Sequence, residues 1–564
     1  MIKKFIDQSL SKYRWIAFAT LLMAAFMQLL DVTIVNVAIP TLRDDLHMSY
    51  AAIQWMAAGY TLSFAVFLVA GGRLGDIFGR KKIFLLGVIW FTIASLLCGI
   101  AQTGDQLVIF RLIQGAGAAM MMPQIMANLV VLFKPGKERL KASGMYGGVA
   151  GLALAGGPVI GGALLEANIL GLDWRSIFLI NIPVGIIALI VSLKMLPESK
   201  SEHPLKVDWL GMGLLGVALT MLLYPLIQGR ELDWPIWTFV MMASSVPLLG
   251  AFWLWERYKE RKDKSPLVLL ELFKNRDFIA GVLLFIMFYG VMASFFLIYT
   301  LFLQGGLGYS ALHAGLNNLP IAVGVAVSAG ALVNVLLPKI GRNILVLGIV
   351  SMMAGYWALL VALNWVGADI TSWEMLPGLL LIGLGMGLFI ASLLNFVIAG
   401  INHHQAGSAS GVLSTVQEVG AAAGIALIGV IFFNILGDQA LASAKTEDGF
   451  IRDKLSAAQI PAQAHTPIIN KFQDCFVDRS NAKDPAEEPA SCKESDNSQL
   501  PPQVAEAMKQ TFIDAGKKAN MSNFIDTFRS TLLIQIAVCF AILGLIPLLP
   551  KRASATLPEE ALEI

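Results

Sequence analysis

The sequence predicts an all-α integral membrane protein with fourteen transmembrane helices. Of its 564 residues, 56% are hydrophobic and only 14% are charged, whereas about a quarter of the residues in an ordinary soluble protein are charged. A helix needs about 20 apolar residues to cross the hydrocarbon core of a bilayer. Runs of this length recur along the chain between short polar or Gly/Pro breaks, so composition and run length both indicate membrane-spanning helices.

Fourteen apolar runs meet this length requirement, and we number them as spans 1 to 14. They cover residues 15–38, 51–72, 83–102, 106–128, 143–165, 177–196, 208–228, 236–255, 278–303, 314–336, 344–364, 374–399, 409–436 and 529–549. Lys and Arg collect on the cytoplasmic side of membrane proteins. With the N-terminus inside, 26 of the 41 Lys and Arg residues lie in cytoplasmic segments and three lie in the short outer loops. We therefore expect a multi-pass protein of the bacterial cytoplasmic (inner) membrane with both termini in the cytoplasm.

Residues 437–528, between spans 13 and 14, form the one long extramembrane segment, and the span numbering places it outside. Its middle, DRSNAKDPAEEPASCKESDNSQLPP, is polar, whereas QVAEAMKQTFIDAGKK and SNFIDTFRS have helical periodicity. We expect short helices around a disordered tip. Cys475 and Cys492 both lie in this segment. In an oxidising compartment they could form a disulfide worth roughly 3 kcal/mol; two free thiols are the alternative.

Three spans contain an ionisable residue well inside the apolar run, namely Asp31 in span 1, Arg111 in span 4 and Glu418 in span 13. Each costs at least about 2.5–3.5 kcal/mol at the centre of a helix, so such residues normally face a bundle interior or a water-filled path. At about 1.5 Å per residue, Asp31 and Arg111 lie at similar depths below the outer ends of their spans. We therefore expect these two side chains to pair.

Glu418 lies close to the midplane, and no span has a basic residue at that depth. The three ionisable residues together are the predicted proton-coupling and substrate-cavity residues. One alternative is that Asp31 and Arg111 form an ion pair that only fixes helix packing. Another is that Ser414 or Thr415, one turn back, keeps the Glu418 carboxyl neutral, although a neutral buried carboxyl is itself a proton-binding site.

Span 5 reads GMYGGVAGLALAGGPVIGGALLE and contains several pairs of glycines four residues apart, with Pro158 among them. Small residues four apart let helix backbones approach closely, and an embedded Pro lets the helix bend. Tight packing alone is the alternative explanation.

Between spans 2 and 3, the loop GGRLGDIFGRKK combines glycines with Asp76 and basic residues that include Arg80, Lys81 and Lys82. A simple charged turn would not require this order of glycines and charged residues, so the order indicates a defined motif.

These motifs resemble those of the major facilitator superfamily. The signature loop is matched by Gly72, Leu74, Asp76, Gly79, Arg80 and Lys81, and the antiporter motif GGPVIGG by Gly157, Pro158, Gly161 and Gly162. RLIQGAGAA, which begins with Arg111, is similar to the superfamily's motif in span 4. LDVTIVNVAIP, DWRSIFLINIPVG and PLVLLELFKNRDF resemble the fourteen-helix drug:proton antiporter branch. The sequence departs from the pattern in PKIGRN, a remnant of a second signature loop, and in Glu418, where many relatives would have Gln.

The resemblance implies a major facilitator fold with two six-helix bundles and two inserted helices. The corresponding units are a cytoplasmic N-terminus at 1–14, an N-terminal bundle at 15–196, inserted helices at 208–255, and a basic cytoplasmic linker with an amphipathic segment at 256–277. A C-terminal bundle at 278–549, containing the outer segment 437–528, and a cytoplasmic tail at 550–564 follow. The family's roles carry over to Arg111 as a proton-path residue, Asp31 as a cavity carboxylate and Asp76 as part of an inner-face latch.

The predicted function is proton-coupled export of amphipathic, cationic drugs or biocides by alternating access. The sequence has no nucleotide-binding Gly-Lys-Ser/Thr loop, metal-ligand cluster or nucleophile–base pair, so we expect no enzyme activity, no cofactor and no bound metal. The expected partners are the substrate, protons and the lipid bilayer, without nucleic acid. Export of a dedicated product such as a lipid or siderophore, with a periplasmic partner at 437–528, is the main alternative. Nutrient uptake and a non-transporting scaffold are weaker ones.

Overall fold

The computed structural model describes residues 2–133, 137–200, 206–229, 232–262, 265–398, 406–482, 489–492 and 502–551. Within these ranges the chain is helical and contains no strand. Twelve of the described helices are long and apolar enough to cross a membrane. The predicted all-α membrane class is therefore confirmed.

A helix lies over each of the fourteen predicted spans. In order, the helices are Ile2–Val37, Tyr50–Phe78, Arg80–Gly99, Gly104–Leu132, Lys137–Ala167, Asn181–Met195, Trp209–Gln228, Ile236–Lys262, Arg276–Leu301, Leu319–Val327 continued by Val333–Ile340, Asn343–Val366, Ser372–Ile398, Ala406–Lys445 and Pro502–Leu545. The helices over spans 4 and 5 are long but are not among the twelve, so the count of fourteen crossings stays a prediction. Span 4 carries Arg111, Gln114 and Gln124, all buried, and these polar residues lower its hydropathy.

Capping side chains explain where several helices begin. The first N–H groups of a helix have no partner within it, and a Ser, Thr or Asn oxygen can accept from them. Ser49 accepts from the backbone N–H of Ala52, at 3.2 Å, where span 2 begins. Thr103 starts span 4, and Asn275 starts span 9, in the same way.

Spans 1 to 6 pack against one another, and spans 9 to 14 form a second group. In the first bundle, span 4 packs on spans 2 and 3, and span 1 packs on spans 5 and 6. In the second bundle, span 13 packs on spans 9 and 14, and span 12 packs on spans 10 and 11. Spans 7 and 8 pack on each other, and span 7 also contacts spans 2 and 13. The inserted pair therefore lies beside both bundles.

The two bundles contact each other on the side that carries residues 437–528, which we call the capped side. The rings of Tyr50 in span 2 and Phe433 in span 13 have centroids 4.0 Å apart. Span 5 meets the segment before span 10 so closely that a β-carbon on Gly162 would lie 2.6 Å from the carbonyl oxygen of Ala311. These contacts close the space between the bundles on the capped side.

Residues 437–528 contain more regular structure than the sequence predicts. The helix of span 13 continues to Lys445, and the helix of span 14 begins at Pro502. Two further helices, Asp448–Ala457 and Ala462–Asn481, pack on these extensions. Their shared apolar core consists of Ala440, Ala444, Ile451, Leu455, Ile469, Phe472, Phe476, Ala515 and Ala519. The predicted disordered tip lies largely outside the described residues.

Cys475 and Cys492 are joined by a disulfide bond. Cys475 lies on the helix Ala462–Asn481, and Cys492 ends a short 3-10 turn. The bond therefore ties the turn to that helix.

The short helix Ile39–Leu46, also on the capped side, is held to the start of span 6 through Asp45. The indole N–H of Trp174 donates to the Asp45 carboxylate at 2.7 Å, and the Arg175 guanidinium donates to it at 3.0 Å. These donors, the indole above all, hold the pKa of Asp45 below its usual value.

Candidate transport site

A buried network surrounds Asp31 in the first bundle. Asp31 is 0% exposed and Arg111 is 1% exposed, and the two side chains form an ion pair. Gln114 and Asn181 each donate a side-chain N–H to Asp31 Oδ1 at 2.9 Å. The sequence therefore placed Asp31 and Arg111 correctly relative to each other, whereas it gave no role to Gln114 and Asn181.

The Arg111 guanidinium has several further partners. It donates to Gln114 Oε1 at 2.6 Å and to the backbone oxygen of Met56 at 3.3 Å. Its central carbon lies 4.2 Å from the centroid of the Tyr60 ring, a cation–π distance. Breaking a buried ion pair leaves an uncompensated charge, and extra hydrogen bonds stabilise the intact pair. The arrangement therefore holds the Asp31–Arg111 pair in one geometry through several hydrogen bonds.

Glu418 has a different environment. Its side chain is partly exposed, and among the described residues its hydrogen-bond partner is the Gln417 amide, which donates to Glu418 Oε1 at 3.4 Å. Across the described ranges, no basic side chain forms an ion pair with Glu418. The hydroxyl of Thr415 is buried without a hydrogen-bond partner there, and Ser414 is exposed. The described contacts thus give no support to the alternative in which these hydroxyls hold the carboxyl.

Two tyrosines from different bundles lie within electrostatic range of this carboxyl. Tyr60 in span 2 and Tyr289 in span 9 both interact electrostatically with Glu418, and Tyr60 interacts with Asp31 as well. The Gln28 amide donates to the Tyr60 hydroxyl at 3.1 Å. Tyr60 is therefore within electrostatic range of both carboxyl groups. The sequence analysis missed both tyrosines, and the only available signal was a phenol inside an otherwise apolar span.

The signature loop places Asp76 beside Arg80. The guanidinium donates to Asp76 Oδ1 at 2.9 Å, and the Asp76 side chain is 40% exposed. The helix of span 13 begins at Ala406, close to the predicted start at 408–410, while residues 399–405 lie outside the described residues. Among the described residues Asp76 forms no hydrogen bond or ion pair with span 13, so the latch stays a prediction.

The rest of the signature loop forms a sharp turn between spans 2 and 3. Gly79 has a φ of +115°, a conformation that favours glycine. The next residues bind the end of span 6: the backbone N–H of Lys81 donates to Glu198 Oε1 at 3.1 Å, and the Lys81 ammonium donates to the oxygen of Leu193 at 2.8 Å. Gly72 packs near Pro123 of span 4. The loop thus fastens three helices of the first bundle together.

The glycines of the antiporter motif lie against two other helices. A β-carbon on Gly161 would lie 2.7 Å from Ile34 Cγ1 in span 1. Gly157 packs against Thr33, the residue before Ile34. Gly162 faces the segment before span 10, on the other bundle, and Pro158 lies inside the helix. The motif therefore allows span 5 to pack closely on span 1 and on the second bundle at once.

Known proteins share these features over almost the whole chain. Residues 21–211 and 208–425 match the family model described as Major Facilitator Superfamily. The chain is 38% identical over 542 residues, covering 96% of it and 93% of the relative, to the "Probable actinorhodin transporter" of Streptomyces coelicolor. It is 32% identical over 429 residues, covering 75% of it and 77% of the relative, to the "Tetracenomycin C resistance and export protein" of Streptomyces glaucescens.

A solved structure supports the fold independently. A bacterial homolog of the human lysosomal transporter Spinster, in an inward-facing and occupied conformation, superposes with a TM-score of 0.58 at 15% identity, covering 96% of this chain and 99% of that one. At this identity the likeness concerns the fold alone. Together with the family model and the relatives, it shows that the chain is a multi-pass membrane transporter of the Major Facilitator Superfamily, within a drug efflux family.

Proposed function

We propose that this protein is a proton-coupled antiporter that exports amphipathic, cationic drugs or biocides across the bacterial cytoplasmic membrane. The observation that carries the proposal is the position of Glu418, a carboxyl on span 13, which packs on span 2 of the first bundle and span 9 of the second, with no basic partner among the described residues. Relatives named for antibiotic resistance and export support an export function.

Glu418 is the proposed proton carrier. A carboxyl in an apolar cavity without a cation beside it favours its neutral form, so it holds a proton when the cavity is dry. A cationic substrate that enters the cavity favours the ionised form, and the proton leaves. Because only one of the two ligands compensates the carboxylate at a time, proton and substrate binding exclude each other. This exclusion is the requirement for antiport.

Asp31 and Arg111 have a different proposed role. Their pair is saturated with hydrogen bonds, so Asp31 keeps its charge and fixes the position of Arg111. Tyr60 contacts the Arg111 guanidinium through its ring and lies within electrostatic range of Glu418. The Asp31–Arg111 pair therefore acts through Tyr60 on the electrostatic potential at the cavity wall. Glu418 exchanges the proton.

Alternating access follows from where the bundles touch. We assign the capped side to the outside and both termini to the cytoplasm, as the distribution of Lys and Arg predicts. The bundles are then closed outside, which corresponds to an inward-facing state. In this state the gate on the cytoplasmic side, the inner gate, is open. Asp76 pairs with Arg80 and not with the start of span 13. In the outward-facing state, the positive end of the span 13 helix dipole would attract Asp76 and close the inner gate.

A dedicated natural product is the second candidate substrate. The observation that favours it is the relative that covers 96% of this chain, including residues 437–528, and is named for a single compound. A susceptibility panel separates the two candidates. Cells that overexpress the protein should tolerate several unrelated lipophilic cations better than cells that lack it. Protection against one compound class only would favour the second candidate, and no protection would contradict export of toxic compounds.

A further inference from the structure

A second pair of acidic side chains lies away from the transport site, on the side opposite the capped side. Asp208 precedes span 7, and Glu256 lies near the end of span 8. Asp208 is 2% exposed and Glu256 is 0% exposed. Both approach Gly211: a β-carbon there would lie 2.6 Å from Glu256 Oε1 and 2.8 Å from Asp208 Oδ2. Two buried carboxyl groups therefore face each other across a glycine.

The two carboxyls differ sharply in their hydrogen bonds. Asp208 accepts from the backbone N–H of Gly211 at 2.9 Å, and the Trp255 indole N–H lies 3.0 Å from each of its oxygens. Glu256 accepts at one oxygen only, from the backbone N–H of Val268 at 2.8 Å. Its other oxygen, Oε1, is buried and has no donor among the described residues. It lies within hydrogen-bonding reach of Asp208.

We infer that Glu256 and Asp208 share one bound proton, carried on Glu256 Oε1 and donated to the Asp208 carboxylate. The donors around Asp208 stabilise its ionised form, whereas an ionised Glu256 would leave a buried oxygen facing a second negative charge. A single proton between the oxygens satisfies both. The pair is therefore a proton-binding site separate from Glu418, and it does not depend on the proposed export substrate.

The site joins three parts of the chain. Arg73, in the signature loop, interacts electrostatically with Glu256 and donates to the backbone oxygens of Lys206 at 2.8 Å, Ser265 at 3.2 Å and Pro266. Residues 265–268 belong to the linker at 256–277, and the 3-10 turn Leu270–Lys274 follows them on the way to the second bundle. The signature loop, the inserted helices and the linker therefore meet here.

Release of the proton should loosen this junction. Arg73 from span 2 and Asp208 from span 7 are the charged groups that interact with Glu256 from neighbouring helices, while Lys259 and Glu260 follow one turn later on its own helix. When the proton moves from Glu256 Oε1 to cytoplasmic water, two buried carboxylates face one arginine. Their repulsion disfavours the packed arrangement in which the two carboxylates approach each other, so the junction opens more readily and the linker at Val268 gains freedom. The pair would thereby make the linker respond to cytoplasmic pH.

Infrared spectroscopy of the purified protein tests for the proton directly. A protonated carboxyl gives a C=O stretching band that moves in D₂O. We expect such a band in the parent protein, its loss in Glu256→Gln, and its loss in Asp208→Asn as well, because the new amide can donate to Glu256 and allow it to ionise. Glu418→Gln serves as the control and should retain this band. A band of unchanged intensity in both variants would show that the two carboxyls hold no proton between them.

Hydrogen exchange on the parent protein tests the consequence without any variant. After correction for the intrinsic exchange rate, protection of the Val268 amide should fall by up to about tenfold per pH unit over the range in which the closed junction holds the proton and the opened junction does not, and it should level off once the closed junction has released the proton as well. A corrected protection that does not change between about pH 5 and pH 8 would overturn the link between the pair and the linker. This result is independent of whether Glu418 carries the proton for transport.

Discussion

Replacing Glu418 with Gln should uncouple transport from the pH gradient and leave the protein folded. The change keeps the shape of the side chain and removes its titrating group. Among the described residues this carboxyl has one hydrogen bond, from Gln417 at 3.4 Å, which is longer than a typical one. We therefore expect the free energy of unfolding to change by less than about 1 kcal/mol. Substrate binding in detergent should persist.

The effect on coupling should be much larger. Each proton exchanged supplies about 1.4 kcal/mol per unit of pH difference, which is a tenfold concentration gradient of substrate. If Glu418 carries the only coupled proton, Glu418→Gln proteoliposomes should lose this entire gradient and only equilibrate the substrate. The measurement is accumulation of a fluorescent lipophilic cation at imposed pH differences, together with substrate-induced proton release from purified protein.

A matched control removes a carboxylate elsewhere. Asp44, on the capped side, is 69% exposed and pairs with Arg43, so Asp44→Asn should transport like the parent. The reasoning fails if Glu418→Gln releases as many protons per substrate as the parent and still drives accumulation. Glu418 would then be structural, and the coupling site would have to be sought at Asp31.

Three further predictions concern the other sites. Asp31→Asn leaves Arg111 buried without its counter-charge and should destabilise the fold by about 3–5 kcal/mol; thermal unfolding in detergent measures this, and a transition within a degree or two of the parent's would contradict the proposed pairing. Asp76→Asn should slow turnover in proteoliposomes while substrate affinity stays the same, since it weakens the latch but leaves the cavity intact; unchanged turnover would count against the latch. Cys475 and Cys492 should react with a membrane-impermeant thiol reagent on intact cells only after reduction, and full labelling without reductant would exclude the disulfide outside the membrane.

The membrane class and the pairing of Asp31 with Arg111 could be predicted because both follow from local rules. Apolar run length determines where a chain crosses a bilayer, and depth along a helix determines which ionisable residues can meet. The donors that complete the network could not be predicted. Gln114 and Asn181 come from different helices, and which polar side chains turn toward Asp31 depends on helix rotation, which a single sequence does not specify.

The structure of residues 437–528 was predicted less completely. Its polar middle dominates the composition, so the sequence indicated a loop with short helices. Phe512 and Ala515 lie on the apolar stripe of QVAEAMKQTFIDAGKK and pack against the helix Ala462–Asn481. The segment that carries them is the first part of the helix Pro502–Leu545, which continues into span 14. A stripe of this kind reveals a helix but not its partner, and the partner decides whether the helix continues into the membrane.

The close packing of spans 9 and 13 gives Glu418 its place in the alternating cycle. A β-carbon on Gly420 would lie 2.6 Å from the backbone oxygen of Ile286, so these two helices touch along their backbones. Packed interfaces of this kind do not deform continuously, and the pair should move as one body with the second bundle. Tyr60 and the Asp31–Arg111 pair belong to the first bundle. In the proposed cycle, rocking would therefore change the separation between Glu418 and Tyr60 and the water that reaches the carboxyl, while Asp31 and Arg111 would keep their partners. Because only one of the two carboxyl groups would then experience the conformational change, we expect Glu418 to carry the proton.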